Sequence, residues 1–279
     1  MKILIIGSKG MLGAQLQKVF AAHDLVCCDR EEIDITSEEQ VEQKVLEIKP
    51  DLIVNSAAFN DVDRCETDFD IAKAVNSDGP INIAKAAQKV GAVFVHYSSD
   101  YVFDGTKKDG YVEIDQPGPI SRYGESKLGG EKVFNYCDKA YVIRTSRLFG
   151  SPAKSEGAKK SFVDVMLFLS ETRDSLDVVD EEFSNPTFVN DLAAQTKVLV
   201  DGNYDFGLYH GVNEGACTWF EFAKAIFEIL GKNVTINPVS SDKFPRPAKR
   251  PEFSSLINTK LPKLRHWREA LSAYLNSKS

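Results

Sequence analysis

Hydrophobic positions along the chain change period repeatedly, and each change marks an element. Lys2-Ile-Leu-Ile-Ile6 is an unbroken apolar run rich in β-branched residues, the pattern of a strand buried on both faces of a parallel sheet. Leu12, Leu16, Val19 and Phe20 then recur at helical spacing. Strand patterns return at Asp24-Leu-Val-Cys-Cys28, Asp51-Leu-Ile-Val-Asn55, Val93-Phe-Val-His-Tyr97 and Ala140-Tyr-Val-Ile-Arg144. Helical stretches lie between them, one from about Asp70 to Val90. Another is set off by the break Pro117-Gly-Pro119, capped by Ser121, and runs to about Tyr136. This alternation predicts an α/β fold with a doubly wound parallel sheet over residues 1–150.

Past Gly150 the pattern loosens. Residues 151–160 are polar and read as a loop, and Phe162 to Leu169 as an amphipathic helix. Leu176-Asp-Val-Val-Asp180 is strand-like, Phe183 to Thr187 extended, and Asn190-Asp191 opens another helix. Gly207-Leu-Tyr-His-Gly211 is again a strand. Thr218 caps a helix with Phe220, Phe222, Ala223, Ile226, Phe227 and Leu230 as its apolar residues, and a last helix runs from His266 to Leu275. The expected layout is a smaller substrate-binding lobe of residues 151–186 and 214–279, with a return to the sheet at about 187–213.

Composition narrows the field. A chain of 279 residues with 43% hydrophobic and 27% charged positions buries a sizeable core. A net charge of −7 disfavours general binding to nucleic acid or anionic membrane, so an anionic ligand must be held by helix N-termini and local cations. The five cysteines include no C-x-x-C and read as reduced thiols of a cytoplasmic protein. No apolar run approaches the ~20 residues of a membrane span. Four histidines without clustered spacing imply no metal site.

Chemistry enters with Gly7-Ser-Lys-Gly10-Met-Leu-Gly13, a G-x-x-G-x-x-G turn between the first strand and the first helix. Its glycines permit a tight turn and close backbone approach to a pyrophosphate at the helix N-terminus, as in a dinucleotide-binding Rossmann sheet. Asp29 follows Gly7 by 22 positions, the offset of a ribose-binding acid, and Arg30 beside it suits a 2′-phosphate; the pair points toward both NAD and NADP. Asp34-Ile35-Thr36 falls beside the adenine and at the N-cap of the next helix, with Thr36 or Ser37 as the plain cap. Ala57 and Ala58 are small where a cofactor passes. Asn76 either braces neighbouring strands or positions catalytic groups.

Tyr123-Gly-Glu-Ser-Lys127 places a phenol and an ammonium one helical turn apart. By itself this also fits an ordinary surface helix. Beside a cofactor turn, a Lys⁺ that lowers the phenol's pKa makes a proton donor or acceptor. Ser99, at a strand's carboxyl end, adds a second donor for a carbonyl oxygen. Lys243-Phe-Pro-Arg-Pro-Ala-Lys-Arg-Pro251 holds four cations and three prolines and is a candidate grip on substrate phosphates; a solvated surface loop is the plainer alternative.

These motifs occur in the order found in extended short-chain dehydrogenases/reductases, and the chain most resembles dTDP-4-dehydrorhamnose reductases. Ser98-Ser-Asp-Tyr-Val-Phe-Asp-Gly105 is similar to that family's S-T-D-Y-V-F-D-G, with Ser99 for threonine. Asn55-Ser-Ala-Ala-Phe59, Ile143-Arg-Thr-Ser146, Val178 to Thr187, Pro247-Ala-Lys-Arg-Pro251 and Leu264 to Leu271 each resemble family segments, so the likeness spans nearly the whole chain. The resemblance implies NADPH, with NADH admitted, and a nucleotide-linked 4-keto-6-deoxy sugar, dTDP-4-dehydrorhamnose first, as substrate. It implies Ser99, Tyr123 and Lys127 as catalytic residues, with Lys127 also on the nicotinamide ribose. The cofactor set is Gly7, Gly10, Met11, Leu12, Gly13, Asp29, Arg30, Asp34, Ile35, Ala57, Ala58, Asn76, Tyr123 and Lys127. The substrate set is Ser99, Asp100, Tyr101, Phe103, Arg147, Arg246 and Arg250. A homodimer is admitted. Two departures touch the substrate region: Arg147 stands where the family usually has an aromatic residue, and residues 152–159 differ from the usual stretch. The regulatory subunit of methionine adenosyltransferase shares the pattern, so a binding protein that keeps the cofactor site is the competing reading, beside a reductase or epimerase of a different nucleotide sugar.

Overall fold

The structure is a computed structural model that describes residues 1–153, 160–202 and 204–278. Its elements run β1 (Lys2–Ile6), α1 (Met11–Val19), β2 (Asp24–Cys28), α2 (Glu38–Ile48), β3 (Leu52–Asn55), the short α3 (Arg64–Thr67) and α4 (Phe69–Lys73), α5 (Gly79–Val90), β4 (Val93–Ser99), α6 (Arg122–Gly130) and β5 (Ala140–Thr145). They continue as β6 (Leu148–Phe149), α7 (Phe162–Leu169), β7 (Ser175–Val179), β8 (Thr187–Phe188), α8 (Val189–Asp201), β9 (Gly207–His210), α9 (Trp219–Leu230), β10 (Thr235–Val239) and α10 (Trp267–Asn276).

Six parallel strands form the central sheet in the order β2-β1-β3-β4-β5-β9. The unbroken apolar run of β1 now has its reason. Leu4 and Ile6 enter the core under α2 and α5, while Ile3 and Ile5 enter the core under α1 and α8. Strand order reverses between β1 and β3, so the loops after these two strands part to opposite faces and leave a crevice at their carboxyl ends. Residues 207–210 pair with β5 at the sheet's far edge. A separate apolar cluster gathers Phe149, Phe222, Ile226, Trp267 and Tyr274, and β7 forms a two-stranded sheet with β10. The segment 154–159, where a polar loop was expected, lies outside the described residues.

The helix expected from about Asp70 to Val90 is interrupted by a π-helical turn at Ala74–Asp78. Pro80 has no N–H to offer the Asn76 carbonyl, so the helix opens by one residue there. α6 also ends as an α-helix earlier than expected, at Gly130, and tightens into a 3₁₀ turn through Asn135. Ser121 caps α6 as anticipated, accepting from the Gly124 N–H. Among the described residues, no helix is long and apolar enough to cross a membrane.

Candidate active site

The glycine turn is shaped by contacts that admit no side chain. Gly7 has φ +78°, and a Cβ on it would stand 2.6 Å from the Ala57 nitrogen; one on Gly13 would stand 2.1 Å from the Gly7 carbonyl oxygen. Gly10 is the N-cap of α1 and gives no side-chain cap, and the first helical bond runs from Ala14 N to the Gly10 carbonyl. The amides of Met11, Leu12 and Gly13 therefore have no helical acceptor. With no acid in the first turn, this end of α1 suits a pyrophosphate. Ala57 faces the turn from the loop after β3, and Ala58 follows it in that loop. These residues fit a dinucleotide.

Asp29 is positioned differently from a plain ribose ligand. One carboxylate oxygen accepts from the Lys9 N–H at 3.0 Å and the other from the Arg30 N–H at 3.0 Å, tying the end of β2 to the glycine turn. Arg30 is exposed, and Lys9, paired with Glu31, is half-exposed beside it. Asp34 is not the helix cap: it accepts from the backbone and hydroxyl of Thr36, and Ser37 caps α2. Ile35 is buried against Gly79.

α6 lies unusually close to its neighbours, and its small residues explain how. A Cβ on Gly124 would meet the Tyr101 carbonyl at 2.1 Å, one on Gly129 the Ser77 hydroxyl at 2.2 Å, and one on Gly130 the Asn76 carbonyl at 2.3 Å. Asn76, buried in the π turn, donates to the Ser126 hydroxyl and the Phe59 carbonyl and accepts from the Phe59 N–H. Asn76 thereby ties α6 to the loop that carries Ala57 and Ala58.

Tyr123 and Lys127 leave this helix one turn apart, but Lys127 does not act on the phenol. Its buried ammonium donates to the Tyr97 carbonyl at 2.7 Å, and burial pulls its pKa down to about 8 against an opposing pull from Glu131. The Tyr123 phenol is pushed above its ordinary value by burial, with the Ser99 hydroxyl drawing it back. The expected lowering of the tyrosine by the lysine is therefore corrected: burial outweighs it, and Lys127 points into the sheet. Ser99 is at the end of β4, accepting from the Tyr101 N–H and donating to Asp100 at 3.1 Å. The Tyr101 ring meets Tyr123 edge-on, centroids 5.7 Å apart.

Several expected substrate ligands are engaged within the protein. Asp100 is buried and takes hydrogen bonds from Ser99, Ser146 and Ser254, knotting β4, the end of β5 and the C-terminal segment together. Phe103 is fully buried between Tyr111, stacked at 4.0 Å, and Arg144, so it is core and not a ligand. Arg147, with φ +41°, donates to the Cys217 and Glu182 carbonyls at 2.8 and 2.6 Å and stacks 3.9 Å over Trp219. Arg246 pairs with Glu182, and Arg250 pairs with Asp63 through both nitrogens at 2.6 and 2.7 Å. Lys243 pairs with Asp177, so three of the four cations in the basic segment have carboxylate partners.

Sequence reasoning missed Asp63, Glu182 and Trp219, because their partners are 187, 64 and 72 positions away in the chain. It also missed Glu131, although its i+4 spacing from Lys127 was there to be read.

A nicotinamide-dependent oxidoreductase of the short-chain type is the class that this sheet, glycine turn and Ser–Tyr–Lys grouping define. The family model described as RmlD substrate binding domain matches residues 1–279, and the chain belongs to the dTDP-4-dehydrorhamnose reductase family. It is 35% identical over 285 residues to the spore coat polysaccharide biosynthesis protein SpsK of Bacillus subtilis, covering 100% of this chain and 98% of that protein. It is 34% identical to the dTDP-4-dehydrorhamnose reductase of Escherichia coli, covering 99% and 97%. Among solved structures, the dTDP-4-dehydrorhamnose reductase of Bacillus anthracis in complex with NADP superposes with a TM-score of 0.93 at 36% identity, covering 99% of both chains. The corresponding enzyme of Clostridium acetobutylicum gives 0.93 at 38%, covering 100% and 99%.

Proposed function

We propose that this protein reduces the 4-keto group of dTDP-4-dehydrorhamnose with NADPH, giving dTDP-rhamnose. The observation that carries the reading is the convergence of Ser99, Tyr123 and Lys127 on the sheet edge that also bears the glycine turn. Bound NADPH supplies hydride to the keto carbon.

The side chains handle the proton. Tyr123, held protonated at neutral pH, gives its proton to the developing alkoxide, a contribution of typically ~10²–10⁴-fold. Ser99 turns its hydroxyl hydrogen from Asp100 to the carbonyl oxygen, a rotation about one bond. Lys127 sets a fixed positive charge behind the reacting groups and reaches the nicotinamide ribose. Lys9 and Arg30, flanking Asp29, favour a 2′-phosphate and hence NADPH over NADH. The described residues of 151–186 and 214–278 form the lobe that takes the sugar nucleotide. Arg250 and Arg246 face its pyrophosphate once they exchange Asp63 and Glu182 for it. Arg147, braced on Trp219 beside Tyr101, borders the sugar.

The test is oxidation of NADPH by the purified protein with dTDP-4-dehydrorhamnose, and with other nucleotide keto-sugars, followed by chromatography of the product. Turnover to dTDP-rhamnose supports the enzyme. Tight NADPH binding with no turnover on any keto-sugar overturns it in favour of a regulatory binding protein.

A further inference from the structure

We propose that Glu131, one turn beyond Lys127, is a positioning residue that keeps the Lys127 ammonium charged, and that Arg144 and Ser98 exist to hold Glu131 for that task. The inference rests on the reading of Lys127 as the catalytic cation. It comes from a polar cluster sealed beneath the active site.

Glu131 and Arg144 form a bidentate pair in which Arg144 Nε and Nη2 donate at 2.8 and 2.7 Å, and Ser98 donates to the same carboxylate at 2.6 Å. The side chains are 9% and 2% exposed. Removing two charges from water costs more than such a pair commonly returns, so its retention calls for a purpose other than stability. Its position supplies one. Glu131 follows Lys127 by four residues, from the last turn of α6 to the first residue of the 3₁₀ turn, and its carboxylate, held by Arg144, acts on the ammonium through space rather than in a direct pair. Lys127 is itself 3% exposed, with one carbonyl acceptor at 2.7 Å. An ammonium so placed discharges readily unless an anion faces it.

The groups around Lys127 leave Glu131 as that anion. His96, from β4, is buried beside Gly130, bonds Asn55 through Nδ1, has no partner at Nε2, and is kept neutral by burial and by the Lys127 charge. Tyr97, also from β4, offers its carbonyl, and its hydroxyl turns away to Thr196 on the opposite face. From β5 comes Arg144, a cation. Asp100 and Tyr101, in the turn after β4, and Cys65, in α3, face Tyr123. The π turn presents Asn76 and Ser77, both uncharged, while its Asp78 pairs outward with Lys73. Glu66 of α3 accepts from the Arg122 N–H at the outer end of α6.

The experiment follows the Cε resonance of Lys127 against pH in isotope-labelled, cofactor-free protein, assigned by its loss in Lys127→Met, alongside pH profiles of kcat/KM. Glu131→Gln keeps the shape and removes the charge. It is expected to lower the Lys127 midpoint by about one pH unit and to move the alkaline limb of kcat/KM down with it. Glu131→Asp, which keeps the charge, is expected to restore most of both. Because a lone buried Arg144 can unfold the protein, Glu131→Gln with Arg144→Gln removes that cation along with the carboxylate and should move both readouts in the same direction, by less than Glu131→Gln alone. An unmoved midpoint and limb, with activity scaled equally at all pH, overturns the proposal and leaves Glu131 a structural residue. Full turnover in Lys127→Met would instead overturn the underlying reading of Lys127.

Discussion

Lys127 donates to the carbonyl of Tyr97, 2.7 Å away on β4, rather than reaching back along its own helix to Tyr123. The helix delivers the lysine to the sheet, and the phenol one turn earlier stays a protonated group in a part-buried setting. In the proposed mechanism the two residues therefore have separable jobs, proton donor and fixed charge.

Replacing Tyr123 by Phe removes the proton donor and little else. Turnover should fall by about 10²–10⁴-fold, while the Kd for NADPH, measured by fluorescence titration, stays close to wild type. Unchanged turnover would remove Tyr123 from the chemistry.

The Lys127 pKa, pulled down to about 8, sets a pH dependence. In the proposed mechanism the active form carries the charge, so kcat/KM should hold below that value and decline as pH rises through it. Tyr123, raised by burial, keeps its proton across the same range and adds no loss there. A flat profile between neutral pH and ~10, where an unperturbed lysine titrates, would contradict this assignment.

Asn76 links α6 to Phe59 through three hydrogen bonds. Asn76→Ala leaves the part-buried Phe59 N–H and carbonyl without partners and should lower stability by about 1 kcal/mol in denaturant titration. The shift of α6 should cost up to ~10²-fold in kcat. A variant with wild-type kcat would show that α6 is held without it.

Arg250 and Asp63 clasp the C-terminal segment to the loop after β3. Arg250→Ala should raise KM for the nucleotide sugar more than it raises the Kd for NADPH. Asp63→Asn, which frees Arg250, should lower that KM or leave it unchanged. An increase in KM for Asp63→Asn equal to that for Arg250→Ala would mean the clasp is structural only.

An indole lies against Arg147, because Trp219 arrives from α9 to stack on the guanidinium. Arg147→Trp should change the relative kcat/KM for different nucleotide keto-sugars without altering the NADPH Kd. The loss of donors to Cys217 and Glu182 should also lower the melting temperature. The same ranking of sugars in both proteins would exclude Arg147 from specificity.

What the sequence determined by itself is local or periodic. The two-sided apolar run of β1, the glycine turn after it, Ser121 as a cap and Thr218 with Glu221 as a capping box all follow from the immediate neighbourhood of each residue. So did the grouping of Ser99, Tyr123 and Lys127, because the ends of parallel strands and the helices between them fall on one edge by rule. Only the tertiary structure decided where side chains of opposite charge would go. Arg250 found Asp63, Arg246 found Glu182, and Arg144 found Glu131. It also decided that Phe103 is core and Asp100 a knot, and that burial, not Lys127, governs the Tyr123 phenol. Ion pairing and desolvation depend on which groups share a low-dielectric space, and that proximity is set by packing across long stretches of chain rather than by spacing along it.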